Sequence, residues 1–114
     1  MKISQIIHIL QAEVVTIESY VDKEITKAFS SDLMSDVLTL DEDSILLISG
    51  LANIQLIRTA EMADIHVVVL ARGKKASSDM VELANESGIV IIETPRSIFG
   101  ASGILYSHGL KPVY

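Results

Sequence analysis

Apolar residues recur along this chain with two periods, and each change of period marks a new element. Ile3, Ile6, Ile7 and Leu10 stand at i, i+3, i+4 and i+7, the spacing of one helix face. Ala12 to Ile17 is short, apolar and β-branched, and predicts a strand. Glu18 to Lys23 is polar and turn-like. Glu24 to Ser30 predicts a second strand, with Ile25, Lys27 and Phe29 on one side. Ser31 or Asp32 is the expected cap of a short helix carrying Leu33, Met34, Val37 and Leu38. Asp41-Glu42-Asp43 then forms a solvated loop.

From residue 45 the pattern becomes regular. Ile45-Leu46-Leu47-Ile48 is continuously apolar, as a strand covered on both faces would be, and it ends at Ser49-Gly50. A helix with Ile54, Leu56, Ile57, Ala60 and Ala63 on its apolar arc follows. Ile65 to Ala71 predicts the next buried strand, closed by Arg72-Gly73-Lys74-Lys75. Met80, Leu83 and Ala84 mark another helix, which stops at Ser87-Gly88, a strong C-terminal signal. Ile89 to Ile92 is the last predicted strand. Thr94 as N-cap and Pro95 at the first helical position open a final helix, with Ile98, Ala101, Ile104 and Leu105 as its buried stripe. Strands alternating with helices imply βαβ crossovers. The expected fold is a single α/β domain over residues 1–114: an open, mainly parallel sheet with helices on both faces, a three-layer α/β/α sandwich.

Composition narrows the functional classes. The net charge is −6, so the broad basic surface that a nucleic acid needs is not expected. The absence of cysteine removes disulfides, thiolate ligands and cysteine nucleophiles together. The first residues lack the pattern of a signal peptide, and no apolar run approaches the roughly 20 residues that span a bilayer. A soluble, cytoplasmic protein with no membrane association is the expectation. Apolar residues make up 49% of the chain. A domain this small buries only about two-thirds of its unfolded surface, so some apolar side chains are expected on a partner face.

Three stretches carry a family resemblance: Ser31-Asp32-Leu33-Met34-Ser35-Asp36-Val37, the strand and turn from Val67 to Gly73, and Gly88-Ile89-Val90-Ile91-Ile92-Glu93-Thr94-Pro95, followed at helical spacing by Phe99 and Ala101. In this order they resemble the DRTGG domain family, which is similar to the non-catalytic N-terminal domain of HPr kinase/phosphorylase. The resemblance implies an α/β module that accompanies other functions. Relatives occur in phosphotransacetylases and nucleotide-regulated pyrophosphatases, and stand-alone forms are similar to proteins associated with iron-only hydrogenases. It also implies dimers, and it carries no catalytic residues. Two stretches depart from the family pattern. Arg72-Gly73-Lys74-Lys75 stands where many relatives have paired glycines, and Ser49-Gly50-Leu51-Ala52 replaces charged or polar residues.

Motifs for catalysis are missing from the chain. Gly73-Lys74-Lys75 lacks the upstream glycine and the following Ser/Thr of a P-loop, and neither G-x-G-x-x-G nor G-x-S-x-G occurs. His8, His66 and His108 lie far apart, with no carboxylate at metal-ligand spacing. No enzyme activity, metal or cofactor is expected.

In open parallel sheets, ligands sit beyond the carboxyl ends of the strands. Three predicted loops meet that border: Ser49-Gly50, Arg72 to Ser78, and Thr94 to Ser97. Each precedes a helix N-terminus, where free N–H groups favour anions. Arg72, Lys74, Lys75 and Arg96 are four of the nine basic residues. The candidate ligand-binding set is therefore Ser49, Gly50, Arg72, Gly73, Lys74, Lys75, Thr94 and Arg96, with a nucleotide or phosphate as the small anionic ligand. The plainer reading is that the charges are solvated, Ser77 or Ser78 and Thr94 are ordinary caps, and Gly50 and Gly73 are turn glycines. His66 reads as a hydrogen-bonded packing residue within its strand, His8 as a helix-surface residue, and His108 as a helix C-terminal residue. Asp32 and Asp36 share a helix face, as caps or as a carboxylate pair. The first helix, Leu33 to Leu38, and Leu110, Val113 and Tyr114 are the expected homodimer surface. The alternative function is an accessory protein that binds a redox or metabolic enzyme partner.

Overall fold

Apolar side chains on both sides of Ile45-Leu46-Leu47-Ile48 require cover on both sides, and two helical layers supply it. The computed structural model describes residues 1–17 and 22–114. The expected turn at Glu18 to Lys23 falls mostly on residues 18–21, outside the described residues. Six strands form one sheet in the order β1-β5-β4-β3-β2-β6. Strands β2 (Lys27–Ser30), β3 (Ile45–Ser49), β4 (Val67–Leu70) and β5 (Val90–Glu93) run parallel. Leu47 lies opposite Val68, which lies opposite Ile91. The edge strands are β6 (Lys111–Pro112), parallel to β2, and β1 (Glu13–Val14), antiparallel to β5.

Successive strand residues face opposite sides, so the sheet has two cores. Leu46, Ile48, Val67, Val69 and Ile92 meet α1 (Ile3–Ile9) and α5 (Ile98–Ser107) through Ile3, Ile6, Ala101 and Leu105. Ile45, Leu47, Val68, Leu70 and Ile91 meet α2 (Met34–Val37), α3 (Ile54–Met62) and α4 (Ser78–Ser87) through Val37, Leu56, Ile57, Ala60, Met80 and Ala84. The open, mainly parallel α/β sandwich read from the pattern is the fold observed. Among the described residues, no helix is long and apolar enough to cross a membrane.

The helix boundaries follow side-chain capping. Asn53 accepts from the Leu56 N–H at 3.2 Å, and Ser77 accepts from the Met80 N–H at 3.2 Å. Helix α4 ends on Gly88 at φ 70°, the left-handed conformation that glycine takes without a Cβ clash. Two expected caps are corrected. Helix α5 starts at Ile98 with Ser97 as its cap, the Ser97 Oγ accepting from Gly100 N–H at 2.9 Å. Thr94 lies three residues before that cap, in a turn where its hydroxyl donates to the Leu10 carbonyl at 2.8 Å and accepts from the Arg96 N–H at 3.3 Å. Ser31 accepts from the Leu33 N–H at 3.0 Å in a tight turn ahead of α2, and Asp32 bonds elsewhere.

Three expectations about the amino-terminal half also change. The strand predicted over Ala12 to Ile17 shortens to Glu13–Val14, because Thr16 turns its hydroxyl to the Ile91 N–H at 3.3 Å. The second strand begins only at Lys27. Before it, the Ile25 N–H bonds the Met1 carbonyl at 2.7 Å, outside the ladder. Alternation breaks there, so Ile25 packs in the α1 core while Phe29 packs on the other face. Helix α1 closes the core itself through one face: Ile3, Ile6 and Leu10 are completely buried.

The first turn of α1 is tied to Asp22, whose carboxylate accepts from the Ser4 N–H at 3.1 Å and the Ser4 hydroxyl at 2.9 Å. These bonds, the backbone one foremost, hold its pKa below the ordinary carboxylate value. A lowered folded-state pKa stabilises above the unfolded value, and the stabilisation is lost as pH falls through the folded one. The stability difference between the native chain and Asp22→Asn is therefore expected to vanish at strongly acid pH, read by thermal melts in a pH series. Leu47 is fully buried between strands and helices. Leu47→Ala is expected to lower unfolding free energy by about 2–5 kcal/mol in urea denaturation.

Candidate functional site

Because β2 to β5 are parallel, their carboxyl ends Ser30, Ser49, Leu70 and Glu93 share one border. Backbone hydrogen bonds then join the loops beyond it. Ala71 N–H donates to the Ser49 carbonyl at 2.9 Å, Gly73 N–H to the Thr94 carbonyl at 3.0 Å, and Arg72 N–H to the Arg96 carbonyl at 2.7 Å. The Lys74 N–H closes a tight turn on the Ala71 carbonyl at 3.2 Å. Both central residues of that turn are left-handed, Arg72 at φ 63° and Gly73 at φ 69°. Glycine adopts this conformation freely and arginine seldom does.

The turn throws the Arg72 side chain across Gly50. A Cβ built on Gly50 would stand 2.7 Å from Arg72 Nε, so a side chain there would push the guanidinium off this position. Arg72 Nη2 reaches the Gly50 carbonyl at 3.4 Å, a long and weak bond. The β3–α3 loop is held from the other side by Asp32. One carboxylate oxygen accepts from the Ser49 hydroxyl at 2.8 Å and the Gly50 N–H at 2.8 Å. Ser49 Oγ in turn accepts from the Leu51 N–H at 3.1 Å. Glu93, buried at the end of β5, accepts from the Ala76 N–H at 2.7 Å and pairs with Lys75 at 3.4 Å.

The eight candidates thus come together but divide by duty. Ser49 and Thr94 are buried and spend their hydroxyls on the fold. Gly50 and Gly73 supply backbone shape. Lys75 is paired with Glu93, and Arg96 Nη2 donates to Gln11 Oε1 at 3.1 Å. Arg72 and Lys74 are exposed and have no carboxylate partner among the described residues. The helix N-termini behind the loops carry their own Asn53, Ser77 and Ser97 caps. The charge available to an anion is therefore on the Arg72 turn.

Glu93 and Gln11 were not among the candidates, and Asp32 was weighed only as a helix cap or as a carboxylate partner of Asp36. Asp32 and Glu93 carry a signal in hindsight, since an acid just past or at the end of a parallel strand must lie on the carboxyl border. Gln11 carries none; its left-handed φ of 51° comes from the turn that ends α1. Asp36 sits in the first turn of α2 and makes no pair with Asp32. His66 precedes β4 and is half-buried, its ring hydrogen-bonded to Asp64 at 3.0 Å, so the hydrogen-bonded reading holds while its place within the strand does not. His108 caps the C-terminus of α5, its Nδ1 bonded to the Ile104 carbonyl at 2.8 Å. Among the described residues no group of three or more His, Cys, Asp or Glu could hold a metal ion. A cavity of about 260 Å³ lies at the opposite border, against His66, Asn85 and Ile89.

No protein-family model matches the chain, and no curated protein matches it. Among solved structures it is similar to the CBS and DRTGG domains of the regulatory region of a Clostridium perfringens pyrophosphatase, in complex with its activator, diadenosine tetraphosphate. The TM-score is 0.78 at 19% sequence identity, over 90% of this chain and 45% of that one. The chain thus spans about half the length of that regulatory region, and the likeness is one of fold.

Asp32 is the side chain on which the border geometry turns, since its removal leaves a buried Gly50 N–H and the Ser49 hydroxyl without their acceptor. Asp32→Ala is expected to cost about 1–3 kcal/mol in chemical denaturation. Asp32→Asn keeps one acceptor oxygen and is expected to cost less than half as much.

Proposed function

We propose that this chain is a DRTGG-type regulatory or assembly module, non-catalytic and homodimeric, that takes a small anionic ligand of the nucleotide or phosphate class at the carboxyl border of its sheet. The observation that carries the proposal is Arg72. It is held in a left-handed turn, joined by backbone bonds to two neighbouring loops, and among the described residues its guanidinium makes one weak bond, over Gly50. Such an arm can turn toward a phosphate without breaking the core. Lys74 stands two residues away, and Lys75 can add a third charge by leaving Glu93.

A regulatory role is favoured over catalysis by what the polar groups do. Ser49, Asp32, Thr94 and Glu93 are engaged in tying loops to one another, an arrangement that suits a sensor of occupancy. Movement of Arg72 would be felt at Gly50 and Arg96, hence in both neighbouring connections. The fold neighbour belongs to a regulatory region that carries a nucleotide activator, which supports the same ligand class. The accessory reading, a subunit seated on a redox or metabolic enzyme, draws on a different surface: Leu33 and Leu38, which flank α2, are exposed.

The test is a thermal-shift panel of phosphate, AMP and ATP. At ten times its Kd, a ligand that binds only the folded state adds about 1.4 kcal/mol, which for a domain this size raises Tm by roughly 5–10 °C. The shift is expected to vanish in Arg72→Gly, which keeps the turn, and to shrink in Lys74→Ala. No shift with any of the three at millimolar concentration would contradict the ligand assignment.

A further inference from the structure

All fifteen acidic residues lie at or before Glu93, and none follows it. The acid-free stretch contains α5, whose ten residues include no charge at all. Its inner side, through Ala101 and Leu105, belongs to the core. Its outer side shows Phe99 and Tyr106 to solvent, 89% and 68% exposed, with Gly103 between them at the i, i+4, i+7 spacing of one face. A Cβ added at Gly103 would meet nothing within 4 Å, so nothing around it in the fold calls for glycine there. Glycine is also the poorest helix former after proline. Beside this face runs an apolar groove of about 230 Å³ between α5 and β6, lined by Ser102, Tyr106, Leu110 and Tyr114 and, among the described residues, by no acidic side chain. Tyr114, 88% exposed, leans on Phe29 at its rim with ring centroids 6.0 Å apart.

We infer that this face seats a second copy of the chain, with the two α5 helices crossing antiparallel at Gly103 and Phe99 of each lying over Tyr106 of the other. The inference rests on the homodimer reading above and names its interface. Charge selects the occupant: two copies at net charge −6 repel wherever acids face acids, and the acid-free stretch lets them meet without that cost. Symmetry agrees, because Phe99 lies four residues before the crossing and Tyr106 three after it, so each faces the other's copy in a self-complementary twofold contact. Area agrees as well. Covering Phe99, Tyr106 and Tyr114 removes roughly 500 Å² per protomer at 150–250 Å² per aromatic, over half of the ~800 Å² per partner in a standard interface.

The chain has no cysteine, so Gly103→Cys introduces a single thiol at the proposed crossing. Under mild oxidation it is expected to give a disulfide-linked dimer, while Leu33→Cys, just before α2, stays uncrosslinked. Phe99→Glu sits in the first turn of α5 and Tyr106→Lys in the last, where each charge suits the helix dipole and folding is preserved. Each is expected to raise the dimer Kd about tenfold or more in sedimentation equilibrium, and the double variant, with Glu facing Lys across the twofold, to recover most of that loss. A wild-type chain that stays a 12.4 kDa monomer at high micromolar concentration overturns the homodimer reading and this interface with it. A wild-type dimer left unchanged by both charge variants, and uncrosslinked at Gly103→Cys, overturns this interface alone.

Discussion

Parallel pairing of β3, β4 and β5 is the constraint from which the rest follows. Each residue of one strand is matched to its neighbour in register, so the three strands end together and their loops emerge within hydrogen-bonding distance. The bonds that then form, from Ala71 to Ser49, from Gly73 to Thr94 and from Arg72 to Arg96, are backbone bonds. They depend on chain path more than on side-chain identity. What the local sequence adds is a turn with two left-handed residues, a glycine under the Arg72 side chain, and two acids that fasten the neighbouring loops.

The strands and crossovers of the second half were legible because their apolar runs are continuous and their ends are marked by Gly50, Gly73 and Gly88. The amino-terminal half was less so. Ala12 to Ile17 and Glu24 to Ser30 have strand composition, but only tertiary pairing decides how much of each joins the sheet. Strand β6 could not be read at all, since Lys111 and Pro112 carry no pattern and pair only because α5 delivers them beside β2. Thr94 precedes a proline as an N-cap often does, but the turn it opens, with its hydroxyl accepting from the Arg96 N–H, ends before the helix, and Ser97 caps α5 three residues later.

The border loops were placed correctly by topology alone, which is why the basic residues gather where parallel-sheet geometry puts them. Their separate duties were not legible. Lys74 and Lys75 are adjacent and chemically alike, yet among the described residues Lys74 has no acidic partner while Lys75 is tied to a buried Glu93. Asp32 looked like a helix cap because it precedes a helix, but β2 ends beside β3, and the shorter path for its carboxylate is across to Ser49 and Gly50. In a chain with this acidic excess, the loops of one sheet border hold four of the nine cations, and the fold uses its own acids to neutralise only part of them.

The account is tested most directly by amide NMR during titration with ATP. It predicts saturable shifts confined to Gly50, the Arg72 to Lys75 turn and Arg96, with the amides around His66 and Ile89 at the opposite border unmoved. Shifts centred on that opposite border, or none at the Arg72 turn at saturating nucleotide, would contradict it.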